Sequence, residues 1–164
     1  MKKLLMLAMV LGLLLVLTPL ANAEWVKGPH SLYVEEDGQE VKALDWYWVS
    51  PVLSLSNGNV LMKIVCQWTD AGRKNMGYSP SLSSKIKRTE YIVELNFSNN
   101  QFRYRSSTII AFDGESYDAL TDKKLYPNGT TEWIDLAKPK GWIPGALLPE
   151  IFEVAKSAPK SEGR

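Results

Sequence analysis

The stretch 60–69 constrains this chain more than any other. Val60, Met62, Ile64, Cys66 and Trp68 alternate with Leu61, Lys63, Val65, Gln67 and Thr69. A period of two with one fully apolar face marks a half-buried β-strand, because successive side chains leave a strand on opposite sides. Ser56-Asn57-Gly58-Asn59 stands just before it, preceded by a second apolar run from Asp45. Asn-Gly favours the type I′ turn, whose two central residues need positive φ, so a hairpin is expected here. Pro51 in the first arm cannot donate to a ladder, which makes that arm an edge or places a bulge in it.

A second hairpin follows. Tyr91, Val93, Leu95 and Phe97 point one way, and Glu90, Ile92, Glu94 and Asn96 the other. Ser98-Asn99-Asn100 turns the chain, and Phe102, Tyr104, Ser106, Thr108, Ile110 and Phe112 return, closed by Asp113-Gly114. Between the hairpins, Asp70 to Lys87 is rich in glycine, serine and basic residues and reads as a long, mobile connection. Pro127-Asn128-Gly129 and Pro139-Lys140-Gly141 are further turns. Beyond them Leu147, Leu148, Ile151, Phe152, Val154 and Ala155 fall at helical spacing. Pro149 suits the first turn of that helix, and Glu150, Glu153 and Lys156 suit its dipole.

The N-terminus is an address. Lys2 and Lys3 precede an uncharged apolar run, Leu4 to Leu17, and Ala21-Asn22-Ala23 ends it with small residues. A basic start, a short apolar middle and an A-x-A end make a cleaved secretory leader over residues 1–23. A single domain over 24–156 and a disordered tail over 157–164 are expected after it. Loss of Lys2 and Lys3 moves the formal charge from +1 to about −1, which disfavours nucleic acid and anionic membrane as partners. No later stretch has the length of a membrane span. Cys66 is the one cysteine, so no intramolecular disulfide can form and the core must hold the domain. Six tryptophans, all in the chain after the leader, make such a core plausible.

Catalytic chemistry has little to work with. His30 is the only histidine and sits in a Gly28-Pro29-His30-Ser31 turn, where a solvated loop residue is expected. Cys66 lies on the apolar face of its strand, where burial makes a thiol inert. No Cys/His cluster has zinc spacing, Asp113, Glu115 and Asp118 do not make a calcium loop, and phosphate loops are absent. No cofactor is expected. Two surface features remain. Trp46 and Trp48 share a face while Tyr47 takes the other, so the set is either core packing or an exposed aromatic row. Lys85, Lys87, Arg88, Arg103 and Arg105 are either solvated charges or a site for an acidic protein or polysaccharide.

The order of these pieces resembles the surface-adhesin protein E family of bacterial exported domains. Glu24-Trp25-Val26-Lys27 is similar to that family's mature start. Trp46-Tyr47-Trp48 through Ser54-Leu55, then Gly58-Asn59-Val60 and Trp68-Thr69-Asp70, resembles its strand, turn and strand. Tyr91 to Leu95 with Phe102 to Arg105 resembles its central hairpin, and Glu132-Trp133-Ile134 and Ile143-Pro144-Gly145 precede the last helix in the same order. The resemblance implies a disulfide between the central strand and the last helix. Phe97, and Ala155 or Lys156, stand at those places, so Phe97 packed on Val154 or Ala155 is expected instead. The family's tyrosine-aspartate motif falls near Trp48-Val49-Ser50, without its aspartate.

The expected fold is therefore α+β: a twisted antiparallel sheet of about five or six strands with a C-terminal helix packed on one face. The expected function is an exported, non-enzymatic binding or adhesion-type module of the bacterial periplasm or cell surface. A host matrix protein, a peptide or an acidic polysaccharide would be its partner, and an exposed edge near Pro51 could pair with another subunit. The alternative is a periplasmic carrier or accessory subunit that holds a small apolar ligand between sheet and helix.

Overall fold

The computed structural model describes residues 23–75, 83–118, 120 and 131–162. Residues 1–22 of the expected leader and the turn at Pro127-Asn128-Gly129 lie outside them. The elements run β1 (Glu24–Lys27), β2 (Leu32–Glu36), β3 (Gln39–Ser50), β4 (Val52–Ser54), β5 (Val60–Trp68), α1 (Asp70–Lys74), β6 (Ile86–Asn96) and β7 (Gln101–Ala111). Then come β8 (Ser116–Asp118), β9 (Ile134–Asp135), a 3-10 turn (Gly145–Leu147), α2 (Leu148–Ser157) and β10 (Lys160–Glu162).

The described strands join in one ten-stranded sheet, with β1-β3-β5-β6-β7-β8 as its main path. Every pairing is antiparallel except that of β10 with β4. Five or six strands were therefore too few. The surplus is in short pieces of two to five residues, whose alternation is too brief to show in a sequence, around the long β3, β5, β6 and β7.

The core lies on one side of that sheet. Register puts Trp46 opposite Cys66, Trp48 opposite Ile64, Met62 opposite Val93 and Leu95 opposite Phe102, all buried. Leu148, Ile151, Phe152 and Ala155 of α2 close over them. Phe97 meets Phe152 of α2 edge-on, with ring centroids 5.7 Å apart, and Val154 and Ala155 belong to the same apolar packing. The tail expected to fray beyond Ser157 is tied down: Val52 N–H donates to the Pro159 carbonyl at 3.0 Å, and β10 adds to β4.

Turns and bulges differ from expectation in instructive ways. The hairpin at Ser56–Asn59 forms, but only Gly58 has positive φ. Asn57 instead accepts the Asn59 N–H on its side chain at 3.1 Å, a local bond that replaces a type I′ turn. Positive φ at two successive residues occurs at Asp37 and Gly38, joining β2 to β3. Pro51 falls at the break between β3 and β4. The first part of the expected mobile connection is helical: Thr69 caps α1 by accepting the Gly72 N–H at 3.2 Å, and Ile86 and Lys87 already belong to β6.

One bulge changes which side chains are buried. Ile92 pairs with Ser106 and Val93 with Tyr104, leaving Arg105 as an extra residue on β7. The alternation reverses there. Phe102 and Tyr104 face the core, and beyond the bulge Ser107, Ile109 and Ala111 do. Ser106, Thr108, Ile110 and Phe112, expected to continue the apolar face, turn the other way, and Phe112 is 59% exposed.

Candidate functional site

The face of the sheet away from α2 carries the chemistry. Trp25 reaches it from β1, Tyr47 from β3, Lys63, Val65 and Gln67 from β5, and Arg88, Glu90, Ile92 and Glu94 from β6. Its β5–β6 register sets Val65 opposite Glu90 and Lys63 opposite Ile92. Trp25, Tyr47, Val65, Gln67, Arg88 and Glu90 line a shallow hollow of about 380 Å3. Trp25 is 52% exposed, and the Lys63 ammonium stands 5.5 Å from its ring centroid. Glu90 accepts from Arg88 Nε at 2.8 Å and pairs with Lys63 Nζ at 2.9 Å. Burial opposes ionisation of Glu90, but these two cations outweigh it and hold its carboxyl below the ordinary range.

At the turn end of the β6–β7 hairpin the same face holds a tighter group. Glu94 is fully buried even though it points away from the core. Asn59 Nδ2 donates to its Oε1 at 2.7 Å. Arg103 Nε and Nη2 lie 2.9 and 2.8 Å from its Oε2, and Arg105 Nε and Nη2 lie 2.6 and 2.5 Å from the same oxygen. Arg103 and Arg105, two residues apart on β7, share this side of the strand, and the bulge leaves Arg105 without a directly opposed residue on β6. Arg103 also lies over the Trp133 ring, its guanidinium carbon 4.5 Å from the centroid. Burial works against the Glu94 charge, and the Asn59, Arg103 and Arg105 hydrogen bonds more than offset it, so the carboxyl stays ionised.

The five basic residues singled out from sequence do not form one patch. Arg88 and Arg103 lie opposite Ile110 and Glu94 respectively, six residues apart along β6, or about 20 Å. Lys85 and Lys87 are exposed at the far end, where the Lys85 carbonyl accepts the Phe112 N–H at 2.9 Å. Arg88, Arg103 and Arg105 each hold a carboxylate. The aromatic set resolves cleanly: Trp46 and Trp48 are core, and Tyr47 is half-buried on the other face. Trp25 was not singled out as a site residue. Only the pairing of β1 with β3, opposite Val49, brings it onto this face.

Two other hollows flank the core. Leu32, Val34, Trp68, Trp142 and the Pro139–Gly145 loop enclose one of about 360 Å3, and Tyr104, Thr131, Trp133 and Lys140 border one of about 400 Å3. Between sheet and α2 the space is filled by Phe97, Phe152, Leu148 and Ile151, so a small apolar ligand would have to displace them. His30 is exposed; its backbone N–H donates to Glu150 Oε1 at 2.9 Å, and its ring Nδ1 lies 3.5 Å from the same oxygen. Burial pushes the Cys66 thiol up to about 12, against a smaller opposing hydrogen bond from Thr89. Among the described residues no group of three or more His, Cys, Asp or Glu could hold a metal ion, and no helix is long and apolar enough to cross a membrane.

Compared with protein-family models, curated proteins and solved structures, the chain matches none. What the structure defines is a class: a β-sheet domain with one helix-covered core face and one accessible face of aromatic and ion-paired side chains.

Proposed function

We propose that this chain is an exported, non-enzymatic binding module of the bacterial periplasm or cell surface, of the surface-adhesin protein E type, and that it holds a glycan on the accessible face of its sheet. The observation that carries the reading is the half-exposed Trp25 beside the Arg88–Glu90 ion pair in the hollow over Tyr47 and Val65. An exposed indole offers an apolar plate to the C–H face of a sugar ring. A guanidinium and a carboxylate next to it supply donors and acceptors for ring hydroxyls. The hollow is shallow and open, which suits a chain that lies across the sheet rather than a substrate enclosed for reaction. The expected leader supports export, and the buried Cys66 thiol, raised well above its ordinary range, is no activated nucleophile.

The test is titration of the chain from Glu24 onward with cell-wall oligosaccharides, acidic polysaccharides and immobilised host matrix proteins. Binding is followed by Trp fluorescence and by the Trp25 indole N–H signal. A glycan should shift that signal and saturate, and Trp25→Ala should weaken binding about tenfold or more, the loss of one well-used aromatic contact. A signal that moves only with a matrix protein or peptide, or binding unchanged in Trp25→Ala, would overturn the glycan reading.

A further inference from the structure

The Glu94 group is more than a structural ion pair, because its donors exceed what its acceptor can use. Four guanidinium nitrogens, two from each arginine, lie within 2.9 Å of the single oxygen Oε2. A carboxylate oxygen has two lone pairs, fewer than the four donors that crowd this one, and the other oxygen of Glu94 accepts from Asn59. Two guanidiniums also bring two positive charges to one negative. Among the described residues no other carboxylate lies within 4.0 Å of either guanidinium. Glu90, four residues along β6 from Glu94, is already held by Lys63 and Arg88. Arg103 and Arg105 both remain partly open to solvent: the Arg105 side chain is 38% exposed and that of Arg103 23%. Trp133 against Arg103 and the shared Glu94 oxygen between the two arginines hold both groups in place before anything binds.

We infer that Arg103 and Arg105 form a preorganised clamp for one oxyanion, a carboxylate, sulfate or phosphate group carried by a ligand on this face. Glu94 is the positioning residue: it gathers the two forks by their inner edges and leaves the outer ones for the ligand. A guanidinium fork matches a planar or tetrahedral oxyanion bidentately, which an ammonium cannot do. The clamp is separate from the Trp25 hollow, so neither needs the other to bind.

The probes are sodium sulfate, sodium phosphate and sodium acetate, added to the chain from Glu24 onward at an ionic strength held constant with sodium chloride. The Nε–H signals of Arg103 and Arg105 and the Trp133 indole N–H should shift and saturate with at least one of them. Arg105→Lys keeps the charge and loses the fork, and should weaken that binding about tenfold. Trp25→Ala should leave it unchanged. A uronic-acid oligosaccharide, a sulfated oligosaccharide and an acidic peptide, tested in parallel, identify the source of the anion by which one binds tightest. Shifts that never saturate, that chloride reproduces, or that survive Arg105→Lys would overturn the clamp. Should Arg105→Lys fail to fold, Arg103→Lys and the oxyanion-dependent rise in the melting temperature of the unmodified chain give the same decision.

Discussion

Asp45 and Glu94 are held ionised by different surroundings, and both make the domain sensitive to acid. Asp45 accepts from Ser31 Oγ and from Lys42 Nζ and pairs with Lys27, and the Ser31 bond is the largest cause of a pKa near 2 instead of 3.8. The native state therefore binds fewer protons than the unfolded chain, so this part of the stability is present above about pH 5 and is lost as pH falls from about 4 towards 2. Glu90 and Glu94, also lowered, act in the same direction. Asp45→Asn should cost about 2 kcal/mol in urea unfolding near neutral pH and almost nothing near pH 2. An equal cost at both pH values would show that the lost stability is not that of an ionised carboxylate. Cys66 gives a second prediction. Its thiol, completely buried and raised to about 12, should react with a thiol reagent only as fast as the domain unfolds. Rapid labelling of the native protein would contradict the packing around β5.

The helices and hairpins each depend on a close contact that can be tested by one substitution. Phe152 carries the edge-on contact with Phe97 that joins α2 to the sheet, and Phe152→Ala should cost about 3–5 kcal/mol in denaturant unfolding. Gly72 lets α1 lie against β3. A Cβ at that position would stand 2.0 Å from the Ala43 carbonyl oxygen, so Gly72→Ala should destabilise by about 1–3 kcal/mol, measured as a lowered melting temperature. How far these elements could be read beforehand follows from their chemistry. The strand 60–69 and α2 were legible because their apolar periods run without interruption. The bulge at Arg105 was not, since Ser106 and Ser107 are alike in polarity and give no sign of which one faces inward. The Asp37-Gly38 turn was overlooked because Glu35, Glu36, Gln39 and Glu40 around it show no apolar alternation. The basic residues were grouped by their sign and nearness in sequence, whereas the hairpin spreads them along its length and supplies carboxylates to three of them.

The whole sheet separates two tasks between its faces. One face is closed by α2 and by the strap of β10 on β4, and it holds the domain without a disulfide. The other keeps Trp25 exposed at one place and the Arg103–Arg105 pair at another. Arg88 and Glu90 lie at the hollow and Glu94 at the clamp, so the two sites are joined by a few residues of β6, about 13 Å from Glu90 to Glu94. A linear acidic polysaccharide has sugar faces for the one and carboxylates for the other. The most direct test of the binding-face account is a titration of the isotope-labelled chain with a uronic-acid oligosaccharide, read as a map of amide and side-chain shifts. The account predicts saturable shifts at Trp25, Tyr47, Ile92, Arg103 and Arg105, with the α2 residues unmoved. Shifts confined to α2 and the core, or none at saturating oligosaccharide, would contradict it.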